Sequence, residues 1–381
     1  MLGIAVLRVI WWAILGVLFM GFAVMDGFDL GAASLLPLVA KDETERRIVL
    51  NTIGPVWEGN QVWILLGAGA IFAAWPFVYA VAFSGAYLAV LLLLLTMGIS
   101  RPVSFKYRSK LTSHLWRRTW DWVVFIGGFC PALIFGVLVG NIIQGLPFYF
   151  DADLRIYYTG NFLDLFSPFA LFCGVLSLMM LVMHGGLFLA MKTEAPVRDR
   201  AIFWAKLAAM MVIVLFALGG LWIKYGITGY IVASTIDPYG FSNPLHKNVA
   251  PLVGAWLLNY STYPAAIIMP LLGFAGALGV LLTARLGDSV LAFICSALSL
   301  IGIIGTFGVS LFPFILPSST NLGSSLLVWD ASSSYLTLLV MLFAVIIFLP
   351  IILIYTAWVY RVMRGKVSRK TIEDKTQYTT Y

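Results

Sequence analysis

Long, almost unbroken apolar runs separated by short basic stretches make up this chain, and that pattern excludes most folds before any motif is read. A helix needs roughly 20 apolar residues to cross about 30 Å of hydrocarbon. Nine runs meet that length, at about 6–36, 51–75, 77–100, 119–144, 161–190, 201–224, 252–283, 289–313 and 333–361. In lipid each segment must satisfy its own backbone N–H and C=O groups, so such runs fold as helices. Composition agrees: 61% of the 381 residues are hydrophobic and 11% are charged, against about half and a quarter in a soluble domain. The expectation is an all-α integral membrane protein, a bundle of about nine transmembrane helices in a single polytopic domain over 1–381.

Positive charge orients the bundle. The second run is the weakest, because Glu58, Asn60 and Gln61 dilute its start. With nine crossings, however, one side receives Lys41, Arg46 and Arg47, the loop from Arg101 to Arg118, the stretch from Lys192 to Lys206, Arg285, and the tail from Arg361 to Lys375. Only Arg8, Arg155, Lys224 and Lys247 of the 24 basic residues remain for the other side. The positive-inside rule then puts the C-terminus in the cytoplasm and the N-terminus outside, on the periplasmic face. Without the second crossing the Arg46/Arg47 loop would fall on the wrong side. The net charge of +7 belongs to these loops and is not a nucleic-acid footprint. The start, Met1 to Arg8, lacks a basic n-region and a cleavage site, so it is read as a retained first span. Cys130, Cys173 and Cys295 are isolated in apolar runs and form no disulfide framework. Ser332 or Ser333 is expected to cap the last span.

Asp26 and Asp29 lie at the far end of the first run, at i and i+3 on one helix face. Glu58 sits about 8 residues, or roughly 12 Å, into the second, so the three acids are expected to share a depth. Arg101 closes the third run on the same side as a counter-charge or gate. A carboxylate in hydrocarbon costs roughly 2.5–3.5 kcal/mol even on the lenient scale, and such groups commonly line ion or proton routes. The alternative is that they fix helix packing through hydrogen bonds. Between Trp57 and Trp63, the amides of Asn60 and Gln61 suit bonds to neighbouring helices, and Trp63, lying deeper, suits packing or a cavity wall.

Histidine is scarce. A multi-haem core needs several axial ligands, yet His114, His184 and His246 form no facing pair, and His184 is read as a non-ligand. No P-loop, HExxH or GxSxG is present, so no catalytic or metal-binding residue is assigned to this chain. A proton-coupled transporter would also carry midplane acids, but with inverted repeats and broken helices, neither of which the sequence displays.

The strings Phe22-Ala-Val-Met-Asp26-Gly27-Phe28-Asp29-Leu-Gly31, Glu45-Arg46-Arg47, Trp57-Glu-Gly-Asn-Gln-Val-Trp63, Phe72-Ala-Ala-Trp-Pro76 and Arg101-Pro102 come in this order, followed by Tyr158-Thr-Gly-Asn161, Asn243-Pro244-Leu245, Gly254-Ala-Trp256, Phe312-Pro-Phe314 and Leu353-Ile-Tyr-Thr-Ala-Trp358. Together they resemble subunit II of the cytochrome bd-type ubiquinol oxidases along the whole chain. The resemblance implies a terminal respiratory oxidase of the bacterial inner membrane that oxidises quinol and reduces dioxygen to water. Haem b and haem d are then expected in a partner, subunit I, with small single-span subunits and membrane lipid completing the complex; a bound quinone in this chain is left open. By the same resemblance Asp26, Asp29, Glu58 and Arg101 belong to a proton-uptake path from the cytoplasm, and Trp63 marks the start of an oxygen path. Some relatives carry aspartate where this chain has Glu58. A purely structural role in assembling the same oxidase is the rival reading of the acids.

Overall fold

Helices take up nearly all of the apolar sequence in the computed structural model, which describes residues 3–373; Lys375 of the basic tail lies outside them. The first run is two helices, α1 (Ile4–Met25) and α2 (Gly27–Val39), interrupted at Asp26. A short α3 (Glu43–Ile53) follows, its start capped by the Asp42 side chain, which accepts the Glu45 N–H at 2.8 Å. Next come α4 (Trp57–Ala74) and α5 (Pro76–Gly85). The third crossing joins α6 (Tyr87–Leu93), a π-helical stretch Leu94–Ser100 and α7 (Arg101–Tyr107). The remaining helices are α8 (His114–Gln144), α9 (Pro168–Lys192), α10 (Val197–Gly226), α11 (Asn259–Thr262), α12 (Ile268–Arg285), α13 (Ser289–Leu311), α14 (Tyr335–Val362) and α15 (Arg369–Glu373). Three small antiparallel strand pairs, Phe148–Phe150 with Ile156–Tyr158, Thr228–Val232 with Val249–Val253, and Phe314–Leu316 with Leu326–Leu327, occupy the loops at one end. Among the described residues eight helical segments are long and apolar enough to cross a membrane, or nine when α4 and α5 count as one bent span.

The second run does traverse the bundle. The first turn of α4 lies beside α7, with Trp57 stacked on Phe105 at 5.6 Å. Its last turn is bonded to the opposite end, where the Ser333 N–H donates to the Ala74 carbonyl at 2.8 Å. Eighteen residues at 1.5 Å each cover about 27 Å. The basic loops accordingly gather at one end, tied by ion pairs from Arg108 and Arg117 to Glu43, from Arg46 to Asp121, from Arg200 to Glu45 and from Arg369 to Asp42.

Several boundaries differ from the hydropathy reading. The third crossing begins at Tyr87 and not at residue 77, because α5 turns 117° away from α4. Hydropathy does not register direction, whereas Pro76 at the helix start and the break after Gly85 do. Gly85 is required there: a Cβ would lie 2.1 Å from the Tyr158 ring. The fifth span begins at Pro168, capped by Ser167, and the seventh begins near Pro264, since 249–253 pairs as a strand. The cap of the last span is Ser334, which accepts the Thr337 N–H at 3.3 Å. Ser332 instead accepts from Arg8 Nε at 2.8 Å, and Ser333 donates to the Ala73 carbonyl at 2.5 Å.

Close backbone contact fixes α2 against α9. A Cβ on Gly31 would stand 1.8 Å from the Leu181 carbonyl oxygen, and one on Gly185 would stand 2.3 Å from the Ala32 nitrogen. Small residues let membrane helices approach this closely and gain dispersion contact without a hydrophobic driving force. This seam holds the segment that carries the two aspartates.

Candidate functional site

At the break in the first span two carboxylates meet one guanidinium. Asp26 occupies the junction of α1 and α2, and Asp29 lies one turn further on; both are 0% exposed. Arg101 donates from Nη2 to Asp26 Oδ1 at 2.7 Å and from Nη1 to Oδ2 at 3.4 Å, and is itself 1% exposed. The π-helical stretch sets its direction: the Arg101 N–H donates to the Thr96 carbonyl, one residue further back than in an α-helix. Such widened turns recur at functional sites. The guanidinium carbon lies 5.6 Å from the Trp57 ring centroid, within cation–π reach.

Asp29 is held by a second set of bonds. Its Oδ2 accepts from Asn60 Nδ2 at 2.7 Å, and Asn60 Oδ1 in turn accepts from the Tyr360 hydroxyl at 2.7 Å. This three-residue chain links α2, α4 and α14. The other Asp29 oxygen, Oδ1, is buried with no hydrogen-bond partner, as is Arg101 Nε. An unsatisfied buried polar atom costs about 1–3 kcal/mol and calls for an explanation in a folded protein.

The expected clustering of all three acids is not realised. Glu58 points out of the bundle, its side chain 65% exposed and paired with Lys106 at 3.6 Å. The buried face of α4 carries Trp57, Asn60, Trp63, Gly67, Ala70 and Ala74, a spacing of three or four residues. Glu58, one residue from Trp57 and two from Asn60, is off that face. Asn60, and not Glu58, is the α4 side chain that reaches the aspartates. Trp63 is 6% exposed and packs into the seam with α1, where a Cβ on Gly21 would lie 2.5 Å from its ring.

His184 braces the break from the other side. Its Nε2 donates to the Val24 carbonyl at 2.9 Å, in the last turn of α1 where carbonyls lack helical partners. Its Nδ1 is engaged with the Ser296 hydroxyl at 2.7 Å, and its ring stacks on Phe293 at 4.4 Å. Among the described residues no three His, Cys, Asp or Glu side chains form a group able to hold a metal ion. The structure brings Asp26, Asp29 and Arg101 together; nothing in the sequence pointed to Tyr360, and it suggested Asn60 only as a helix-bonding amide. The one available signal for Asn60 was its three-residue spacing from Trp57.

Comparison with known proteins gives a consistent result. The family model described as Cytochrome bd terminal oxidase subunit II matches residues 7–363. The chain is 48% identical over 376 residues to the cytochrome bd-I ubiquinol oxidase subunit 2 of Escherichia coli K12, covering 99% of each. It is 47% identical to a probable cytochrome oxidase subunit 2 of Haemophilus influenzae, covering 98% of each, and 31% identical to the cytochrome bd ubiquinol oxidase subunit 2 of Bacillus subtilis, covering 96% and 98%. The fold is similar to that of a chain in the bd oxidase of Geobacillus thermodenitrificans, with a TM-score of 0.65 over 93% of this chain and 98% of that one at 16% identity.

Proposed function

The chain belongs to the cytochrome bd terminal oxidase subunit II family, and on that premise we propose that its buried aspartate cluster takes up protons for the oxidase. It is one subunit of a quinol:dioxygen oxidoreductase complex in a bacterial membrane, and its partner is oxidase subunit I. The reaction is the oxidation of quinol with reduction of dioxygen to water. In this reading the membrane is the inner membrane, the end with the basic loops faces the cytoplasm, the N-terminus is periplasmic, and small single-span subunits join the pair.

Haem b and haem d are assigned to subunit I. The histidines of this chain do not fit a haem iron: both His184 nitrogens are engaged by Ser296 and Val24, His114 is exposed at the start of α8, and His246 is exposed in a loop. No step in this chain is routed through a haem.

The observation that carries the proposal is the unpartnered Asp29 Oδ1, fully buried beside the Asp26–Arg101 pair. Asn60 and Tyr360 orient the carboxylate by holding Oδ2, which leaves Oδ1 to receive and release a proton. Asp26 keeps its pairing with Arg101, so the local charge stays fixed while Asp29 cycles. Glu58, on the open face in the first turn of α4, serves as the collecting carboxylate outside the bundle. Trp63 lines the α1–α4 seam assigned to the oxygen path.

A purely structural role has its own support, because the same bonds tie the first span to α4, α7, α9, α13 and α14. Substituting Asp29→Asn and Glu58→Gln in the whole complex separates the readings. A proton route predicts near-normal haem content with slowed oxygen consumption. Loss of haem in step with turnover identifies an assembly role, and wild-type turnover in an assembled variant removes that residue from the route. Single cysteines in the 41–47, 101–118 and 151–158 loops, placed in a variant lacking the native three, test the orientation with an impermeant maleimide.

A further inference from the structure

A cleft of about 250 Å³ opens at the end with the basic loops, between the last turn of α2, α3 and the start of α8. One face of α8 forms its wall: His114, Arg118, Trp122 and Phe125 are spaced four, four and three residues apart. The stripe is graded. Its outer part is basic: Arg118 is exposed and joined by no ion pair among the described residues, His114 is exposed one turn before it, and Arg46 faces them from α3. Its inner part is aromatic: Trp122, 51% exposed, lies 5.5 Å from Phe125, which stacks on Phe129 at 5.3 Å. Leu36 and Pro37 supply the apolar wall opposite. From Arg118 to Phe125 the helix descends roughly 10 Å.

The carboxylate in the cleft does not cancel this charge. Asp121 is held by Arg108 Nε at 2.5 Å and shared with Arg46 at 3.3 Å, so the positions facing outward remain positive. α8 continues through the membrane, and the stripe therefore runs from headgroup depth into hydrocarbon. A free anion would use the cations but not the aromatic ladder, and a neutral lipid would use the ladder but not the cations.

We propose that this cleft binds an anionic phospholipid, its phosphodiester held by Arg118, His114 and Arg46 and one acyl chain laid along Trp122 and Phe125. Basic pockets between membrane helices recognise such headgroups. The site is separate from the aspartate cluster and does not depend on the proton route.

The test uses the intact oxidase complex in phosphatidylcholine nanodiscs carrying a trace of phosphatidylglycerol with a diazirine on its acyl chain. After illumination, adducts are expected on the segment from Trp122 to Phe129. Unlabelled phosphatidylglycerol should suppress them, whereas extra phosphatidylcholine or inorganic phosphate should not. Arg118→Gln should weaken labelling about fivefold, equivalent to the ~1 kcal/mol a basic side chain contributes near an anionic headgroup, while Arg118→Lys keeps it. Absence of adducts on this segment, equal suppression by phosphatidylcholine, suppression by phosphate, or unchanged labelling of Arg118→Gln would each overturn the proposal. Should Arg118→Gln fail to assemble, the competition arms on the wild-type complex decide it alone.

Discussion

Removing both members of the Asp26–Arg101 pair should damage the protein less than the sum of removing each alone. Each side chain is at most 1% exposed and they are joined at 2.7 Å. Two unit charges about 4 Å apart attract by about 4 kcal/mol at an effective dielectric constant near 20. Breaking a buried pair from one side leaves the other charge uncompensated, at a cost of about 3–5 kcal/mol. Asp26→Asn and Arg101→Gln should each therefore destabilise the complex by that amount. The double variant places two neutral amides in the same space and should fall short of the summed loss, with a coupling near the upper end of the ~0.5–3 kcal/mol found for residues in contact. Thermal unfolding of the solubilised complex, followed by haem absorbance, measures the four corners of the cycle. Additivity within about 0.5 kcal/mol would show that the two charges do not depend on each other and would refute the reasoning. Oxygen consumption of the stable double variant then separates function from packing: slow turnover with full haem places the pair in the proton route.

Tyr360→Phe removes only the hydroxyl that holds Asn60 and should cost about 0.5–1.5 kcal/mol, whereas Asn60→Leu strands both Asp29 and Tyr360 and should cost more in the same unfolding assay. Gly31→Ala would set a Cβ 1.8 Å from the Leu181 oxygen and should abolish assembly, while Gly16→Ala, with nothing within 4 Å, should be neutral or slightly stabilising; the yield of assembled complex distinguishes them. The Glu45 N–H and Arg369 hold the Asp42 carboxyl below its ordinary 3.8. A depressed carboxyl contributes stability above that value and loses it as pH falls through the folded one, so proteolysis near Asp42 should increase only below about pH 4. Asp42→Ala should cost about 1 kcal/mol as a lost helix cap and remove that acid dependence.

How much of this was legible in the sequence depends on which physical constraint wrote it there. The crossing of the weak second run was legible because charge and length act together: the loops bearing Arg46 and Arg108 had to share a side, and they do, meeting at Glu43 and Asp121. Asp26, Asp29 and Arg101 were legible because a charge within an apolar run is expensive and needs a partner. Directions were not. The turn at α5 and the π-helical stretch before Arg101 lie in sequence without a charged residue, where hydropathy has little contrast to record, and at Asp26 it registers the charge but not the break in the helix. The same lack of contrast explains the misplacement of Glu58. A helix that meets lipid on one side and protein on the other is apolar all round, so its pattern does not fix which face turns inward. In α4 the phase is set instead by contacts no window can see: Trp63 against Gly21, Asn60 against Asp29, and a tyrosine hydroxyl 300 residues away. An amide two positions past an acid, three from a tryptophan at the helix start, belongs on the same face as that tryptophan, and this spacing is the part of the site that a closer count of the helix would have placed.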